Sequence, residues 1–136
     1  MITELLPFKI NEPIKDWLHL FKFQSSHDEI DLYKYVSDGK IEINGFLPTG
    51  IFAYVHQALI ITILIRFENA SQEMYNTLFH TPGYHEIFSQ EKYDDEEQVH
   101  FRKVTIDNIS ISMVITWNDE NNIVSIICSN VKYDLF

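Results

Sequence analysis

The sequence is poor in the residues that cross-link, break or loosen a fold. Among its 136 residues it has 1 cysteine, 4 glycines and 4 prolines. A single cysteine, Cys128, excludes a disulfide within the chain and is typical of a reducing compartment. So few glycines and prolines argue against long flexible linkers, and the length suits one hydrophobic core. The sequence therefore predicts a single domain over residues 1–136.

Long apolar runs are also missing. The most hydrophobic stretch, residues 58–65, is much shorter than the roughly 20 residues that a transmembrane helix requires. The first seven residues carry no basic cluster of the kind that begins a signal peptide. We therefore expect a cytoplasmic protein.

Basic side chains are also few. The chain has 10 Lys and Arg against 20 Asp and Glu, which gives a formal net charge of -10. A surface of this sign repels phosphate backbones, so direct nucleic-acid binding is not expected. It attracts a basic partner and speeds the encounter with it. The same charge can also serve solubility alone, and composition does not separate these two interpretations.

Helical patterns occur at three places. After Pro13, apolar residues recur at the spacing of one helix face, which predicts a helix over Ile14 to Phe23. Residues 71–79 predict a second, shorter helix with Ser71 as its N-cap. Residues 84–90 predict one or two further helical turns.

Strand patterns fill most of the remaining chain. The predicted strands are Ile30 to Val36, Ile51 to Val55, Leu59 to Phe67, Val99 to Ile106, Ile109 to Trp117 and Ile123 to Ser129. In Ile109 to Trp117 apolar residues alternate with small, mostly polar ones, and Ile123 to Ser129 returns as the partner strand of a hairpin. The sequence therefore predicts an α+β fold, an antiparallel sheet with two or three short helices packed on it. The order of elements also suggests two related helix-plus-hairpin halves.

The patterns by which catalytic and cofactor sites are usually recognised are absent from the sequence. It has no Gly-rich phosphate-binding turn, no nucleophile elbow and no Cys or His pairs at zinc spacing. Cys128 lies in an apolar run, where a thiol behaves as a small hydrophobic side chain. We therefore expect no catalytic residue, no metal and no cofactor. The least favoured alternative is a small histidine-dependent enzyme using His80, His85 or His100.

Two acidic clusters are the candidates for partner binding. The first is Tyr93, Asp94, Asp95, Glu96 and Glu97, and the second is Asp28, Glu29 and Asp31. Tyrosine beside carboxylates is a common composition at protein interfaces, because the ring gives a large contact at low entropic cost. A solvated loop is the alternative interpretation of either cluster.

Two hairpin patterns carry a family resemblance. They are Gly50 to Val55 followed by Leu59 to Phe67, and Ile109 to Trp117 followed by Asn118 to Ser129. In this arrangement the chain resembles immunity proteins of bacterial polymorphic-toxin and contact-dependent growth inhibition systems. The resemblance implies a cytosolic inhibitor that binds a cognate protein toxin, often a basic nuclease, and covers its active site. It transfers no binding residue, because the matched segments contain no family motif.

A second kind of inhibitor also agrees with the acidic composition. A phage-encoded protein that mimics nucleic-acid phosphates could block another nucleic-acid enzyme, and it would carry carboxylates along one elongated face. The sequence leaves this alternative open beside the immunity protein.

Overall fold

The computed structural model describes residues 6–79, 92–94, 99–117 and 122–133. Eight strands dominate it and form one sheet. The strands are β1 (Phe21–His27), β2 (Ile30–Tyr35), β3 (Gly50–His56), β4 (Leu59–Phe67), β5 (Lys92–Asp94), β6 (Val99–Ile106), β7 (Ile109–Trp117) and β8 (Asn122–Asn130). This part of the chain also contains one α-helix, α1 (Gln72–Phe79). Short 3-10 turns occur at Ile14–Asp16, Leu18–Leu20 and Val131–Tyr133.

The sheet is antiparallel and has the order β1-β2-β3-β4-β8-β7-β6-β5. Each half of the chain therefore contributes four strands that are consecutive in sequence, and the last strand of each half lies at the centre. There β4 pairs with β8, from Thr62 opposite Ser129 to Phe67 opposite Val124. The outer strands β1 and β5 form the two edges.

Three two-residue turns lie at the same end of the sheet. They are Asp28-Glu29 between β1 and β2, Gln57-Ala58 between β3 and β4, and Asp107-Asn108 between β6 and β7. All six residues have positive φ, between 50° and 66°. Positive φ at both central residues defines the type I′ turn, whose twist matches that of the flanking strands. We name this end of the sheet the turn end; the β2–β3 connection lies at the opposite end.

One face of the sheet carries the hydrophobic core. Alternate residues of the central strands point toward it, and the segment 6–20, the β2–β3 connection and α1 pack over it. The buried side chains include Ala53, Ile63, Met113 and Ile126 from the strands, and Phe8, Ile43 and Leu78 from the segments that cover them. We name this side the covered face and the other side the open face.

Helix α1 confirms the helix predicted over residues 71–79. The Ser71 hydroxyl accepts a hydrogen bond from the Met74 amide at 3.1 Å, which satisfies one of the free N–H groups of the first turn. Leu78 is fully buried in the core. Across the described ranges, no helix has the length and apolar character needed to cross a membrane.

The predicted α+β fold, with two or three helices on the sheet, is wrong. The described chain is an eight-stranded sheet with one short α-helix. The predicted helix over Ile14 to Phe23 is replaced by two 3-10 turns followed by β1. Its apolar stripe does not stay together, because Ile14 is buried whereas Leu18 is 48% exposed. Phe21 instead pairs with Tyr35 across a hairpin, and cross-strand aromatic packing outweighs a modest helical preference.

The two related helix-plus-hairpin halves are also wrong as predicted. Each half is a run of four consecutive strands, and no α-helix precedes the first run within the described residues. The helical turns predicted over residues 84–90 lie outside the residues that the structure describes.

The β3–β4 turn gives a prediction about stability. Ala58 has a φ of 66°, a conformation that costs an L-residue with a Cβ roughly 1–2 kcal/mol. Glycine removes this cost. It also lowers the free energy of unfolding by about 0.4–1 kcal/mol, because the unfolded chain gains conformational freedom. We therefore expect Ala58→Gly to raise the free energy of unfolding by about 0.5–1 kcal/mol, measured by urea denaturation.

Ala53→Gly is the control for this turn. Ala53 is fully buried in β3, where glycine weakens a strand and leaves a small void. It should therefore lower the free energy of unfolding. Equal effects of the two substitutions would show that backbone strain at Ala58 is negligible.

Candidate functional site

The hairpin turns place carboxylates along the turn end. Asp28 and Glu29 form the β1–β2 turn, and Asp107 begins the β6–β7 turn. Asp31 is the second residue of β2 and lies opposite Val55, close to the same end. The structure thus places the predicted cluster of Asp28, Glu29 and Asp31 at the turn end and adds Asp107 from the other half of the chain.

The N-terminal segment adds two more carboxylates. The Glu12 carbonyl accepts a hydrogen bond from the Ile60 amide at 2.9 Å, and the Ile14 amide donates to the Ala58 carbonyl at 3.0 Å. These bonds hold the segment beside the β3–β4 turn. Glu12 and the exposed Asp16 therefore lie at the turn end as well.

Hydrogen bonds connect the turns to their neighbours. The Nδ1 atom of His56, at the end of β3, lies 3.3 Å from the Glu29 carbonyl oxygen. The Val131 amide donates to the Asn108 carbonyl at 3.0 Å, which joins the C-terminal 3-10 turn to the β6–β7 turn. The turn end is therefore a connected surface and not a set of independent loops.

Negative charge dominates this surface. Four of the six carboxylates above are exposed, those of Asp16, Asp28, Glu29 and Asp107, whereas Lys15 and Lys132 are the exposed lysines at this end of the described chain. His27 Nε2 lies 3.2 Å from Asp28 Oδ2, but both side chains are at least 86% exposed, so solvent weakens the pair. The net field at the turn end favours a cationic partner.

Two residues of the predicted cluster from Tyr93 to Glu97, Tyr93 and Asp94, are described, and they lie elsewhere. Tyr93 and Asp94 belong to the edge strand β5, where Asp94 is opposite Val99 at the far end from the turns. Asp95, Glu96 and Glu97 lie outside the described residues. Because neighbouring strands are about 4.8 Å apart, the two edges of an eight-stranded sheet are on the order of 30 Å apart. Within the described residues, the structure therefore does not join Tyr93 and Asp94 to the cluster of Asp28, Glu29 and Asp31.

The open face contains a hollow of about 510 Å³ beside the turn end. A bulge in β4 contributes to its lining. Tyr54 is opposite Thr62 and Val55 is opposite Ile60, so Ile61 is an extra residue in this strand. The side chains that line the hollow include Ile30, Tyr54, Ile61, Thr62, Leu64, Ile127, Ser129, Lys132 and Tyr133.

The interior of the hollow is mainly apolar. Its two small hydroxyl groups form a hydrogen bond with each other, with Thr62 Oγ1 and Ser129 Oγ 2.9 Å apart. At the border, the Tyr133 ring packs edge-to-face on His56 with centroids 5.7 Å apart, and His56 in turn contacts the Glu29 carbonyl. His56 thus links the wall of the hollow to the acidic β1–β2 turn. A concave apolar interior with a few polar groups at its border is the common form of a ligand-binding site.

The described histidines belong to no group that could hold a metal ion. His19 and His27 are exposed, and His100 is half-buried in β6 opposite Ile115. Over the ranges that the structure describes, no group of three His, Cys, Asp or Glu side chains could hold a metal ion. His80 and His85 lie outside these ranges.

Cys128 is fully buried on the covered face, opposite Ile63 and Ile111. Burial raises the pKa of its thiol from 9.0 to about 12. A thiol with a raised pKa supplies almost no thiolate at neutral pH, and the thiolate is the nucleophile. The side chain therefore packs as a hydrophobic residue.

The sequence contained a partial signal for the missed carboxylate. Asp107 and Asn108 separate two predicted strands by two residues, which is the spacing of a type I′ hairpin. That spacing places Asp107 in a turn. Its position at the same end as Asp28 and Glu29 depends on the pairing of β4 with β8, which no local pattern shows.

Comparison with known proteins finds no matching protein-family model, no matching curated protein and no matching solved structure.

Proposed function

We propose that the protein is a toxin-neutralising immunity protein, which binds and blocks a basic, nuclease-type toxin domain in the cytosol. The acidic turn end carries this proposal, because three separate chain segments bring their carboxylates to one surface. The formal net charge of -10 has the same sign. The adjoining hollow offers the apolar contact that stable interfaces also require. The hairpin resemblance in the sequence agrees with this function.

Charge complementarity gives the proposal a physical mechanism. A nuclease binds phosphates through a basic cleft, and carboxylates can occupy the positions that the phosphates would take. Attraction between opposite charges also raises the association rate constant by about 10- to 1,000-fold at low ionic strength. Rapid capture suits an inhibitor that has to act before the toxin reaches its substrate.

The phosphate-mimicking inhibitor of another enzyme receives less support. It requires carboxylates along one elongated face, but the described ones are divided between the two ends of the sheet. Asp38 and Glu42 lie in the β2–β3 connection, and Glu68 follows β4 at the end opposite the turns.

Removing two charges from the turn end should slow association with the toxin. Asn is among the residues best tolerated at positive φ, so Asp28→Asn with Asp107→Asn keeps both turns. We expect the association rate constant to fall about 10-fold at low salt and to depend less on salt concentration. The measurement is surface plasmon resonance with the toxin domain encoded beside the gene, together with growth protection on co-expression.

Two matched variants remove the same charge elsewhere. Asp38→Asn with Glu42→Gln acts at the opposite end, and Asp94→Asn with Asp95→Asn acts at and beside the β5 edge. Both should associate nearly as fast as the wild type. Slowing by the second pair alone would move the interface to β5. If the wild type neither binds nor protects against a toxin encoded nearby, the proposed function is wrong.

A further inference from the structure

The hollow on the open face joins an apolar interior to an acidic border. Ile30 lines the hollow and directly follows the turn residues Asp28 and Glu29. Lys132 and Tyr133 line its other side, and they belong to the 3-10 turn that is hydrogen-bonded to the β6–β7 turn through Asn108. Both acidic turns are therefore neighbours of residues that form the wall.

The balance of charge at this border is negative. Asp28, Glu29 and Asp107 lie in the two bordering turns, whereas Lys132 is the charged side chain among the described residues of the lining. The Lys132 side chain is exposed, and a long exposed ammonium chain can move into solvent at little cost. The carboxylates belong to two-residue hairpin turns, which are attached at both ends to paired strands. A cation at the border is therefore favoured over an anion.

The interior of the hollow favours a hydrophobic group. Ile61, Leu64 and Ile127 contribute apolar surface, while the hydroxyl groups of Thr62 and Ser129 are hydrogen-bonded to each other. A volume of about 510 Å³ lies within the roughly 300–1,000 Å³ typical of pockets that hold ligands. An aromatic or long aliphatic side chain that projects from a partner fits this description.

From these observations we infer that the hollow receives a large apolar side chain of the partner that is flanked by Lys or Arg, so that the apolar group enters the hollow and the cation meets the acidic turns. The inference rests on the proposed function, because it specifies which part of a basic partner is recognised. It assigns separate roles to the two features of the site. The acidic turns speed capture, and the hollow slows release.

Three small molecules with the same ring and chain test the charge preference. They are 4-phenylbutylammonium, 4-phenylbutanol and 4-phenylbutyrate, titrated into the full chain and followed by NMR. We expect the ammonium to bind with a Kd on the order of 1 mM and to shift the amides of Thr62, Leu64 and Ile127. The carboxylate should bind about 3- to 5-fold more weakly, with the alcohol between them.

Variants assign the binding to the hollow and its border. Leu64→Trp fills the interior and should weaken all three probes at least about 10-fold, whereas Thr105→Trp on an exposed position of β6 should not. If Leu64→Trp does not fold, Ile127→Phe narrows the same hollow from β8. Asp28→Asn with Asp107→Asn should remove most of the preference for the ammonium.

Several results would overturn the inference. One is that none of the three probes binds. Another is a set of shifts that maps outside the hollow. A third is a preference for the carboxylate that disappears in Lys132→Met, which would make the hollow a site for an anionic amphiphile.

The toxin assay separates this inference from the proposed function. Leu64→Trp should increase the dissociation rate constant about 10-fold and leave association nearly unchanged. If dissociation does not change while the turn-end variant still slows association, the inference fails and the proposed function stands. If the wild type does not bind the toxin, the proposed function fails, and the probe titration still decides what the hollow accepts.

Discussion

Replacing Phe8 by alanine should lower the free energy of unfolding by about 3–5 kcal/mol. Phe8 is fully buried. Its ring centroid lies 4.8 Å from that of Phe21, 6.0 Å from that of Tyr35 and 6.3 Å from that of Trp17. The substitution removes the hydrophobic transfer energy of the ring, leaves a cavity, and abolishes aromatic contacts worth about 0.5–1.5 kcal/mol each. Since a domain is usually stable by about 5–15 kcal/mol, the loss is a large fraction of the total.

Phe23→Ala provides the matched comparison. Phe23 lies in β1 two residues after Phe21 but is 52% exposed and contacts Tyr33 at the sheet edge. Its replacement should cost less than about 1.5 kcal/mol, because much less apolar area leaves the core. Both values follow from guanidinium denaturation, and Phe8→Leu serves if Phe8→Ala does not fold. A cost for Phe8 no larger than that for Phe23 would mean that the N-terminal segment does not stabilise the sheet.

Hairpins were the part of the fold that local sequence could predict. The prediction for Leu59 to Phe67 matches β4, and that for Ile109 to Trp117 matches β7. Both strands combine β-branched residues with boundaries set by short polar turns, and these signals act between residues that are near in sequence. The central pairing of β4 with β8 joins Ile63 to Cys128, and alternation within each strand does not specify such a distant partner.

The segment before β1 shows why the predicted helix failed. Ile14, Trp17, Leu18 and Phe21 have helical spacing, but a spacing pattern only states which side chains could share one face. In the structure Phe8, from an irregular segment, supplies the aromatic surface against which Trp17 and Phe21 pack. Contacts made by the rest of the core therefore decided the local conformation.

The candidate site could be predicted only in part. The sequence contains the cluster of Asp28, Glu29 and Asp31, and the structure locates it at the turn end. Asp107 joins it through strand order, and the hollow requires a bulge at Ile61. Neither feature follows from local patterns, because strand order depends on partners far apart in sequence, and the hollow also needs β8 beside β4.

The buried thiol of Cys128 should make the protein less stable as the pH rises above 9. Burial raises the pKa of this group from 9.0 to about 12 in the folded chain. The unfolded chain therefore releases a proton between these values that the folded chain keeps, and deprotonation favours unfolding. The free energy of unfolding keeps its full value with respect to this thiol below pH 9.0, and it falls as the pH rises toward about 12. At about 1.4 kcal/mol per pH unit, the loss near pH 11 is about 2–3 kcal/mol.

Cys128→Ala isolates this effect, because lysine and tyrosine titration is common to both proteins. Near neutral pH the variant should be about 1 kcal/mol less stable, since it lacks one buried heavy atom. Near pH 11 the order should reverse, because the variant has no thiol to deprotonate and the wild type has lost about 2–3 kcal/mol. Urea denaturation of both proteins at several pH values measures the crossover. If the two stability curves run parallel, the thiol has the same pKa in the folded and unfolded chains. The core around β8 is then open to water.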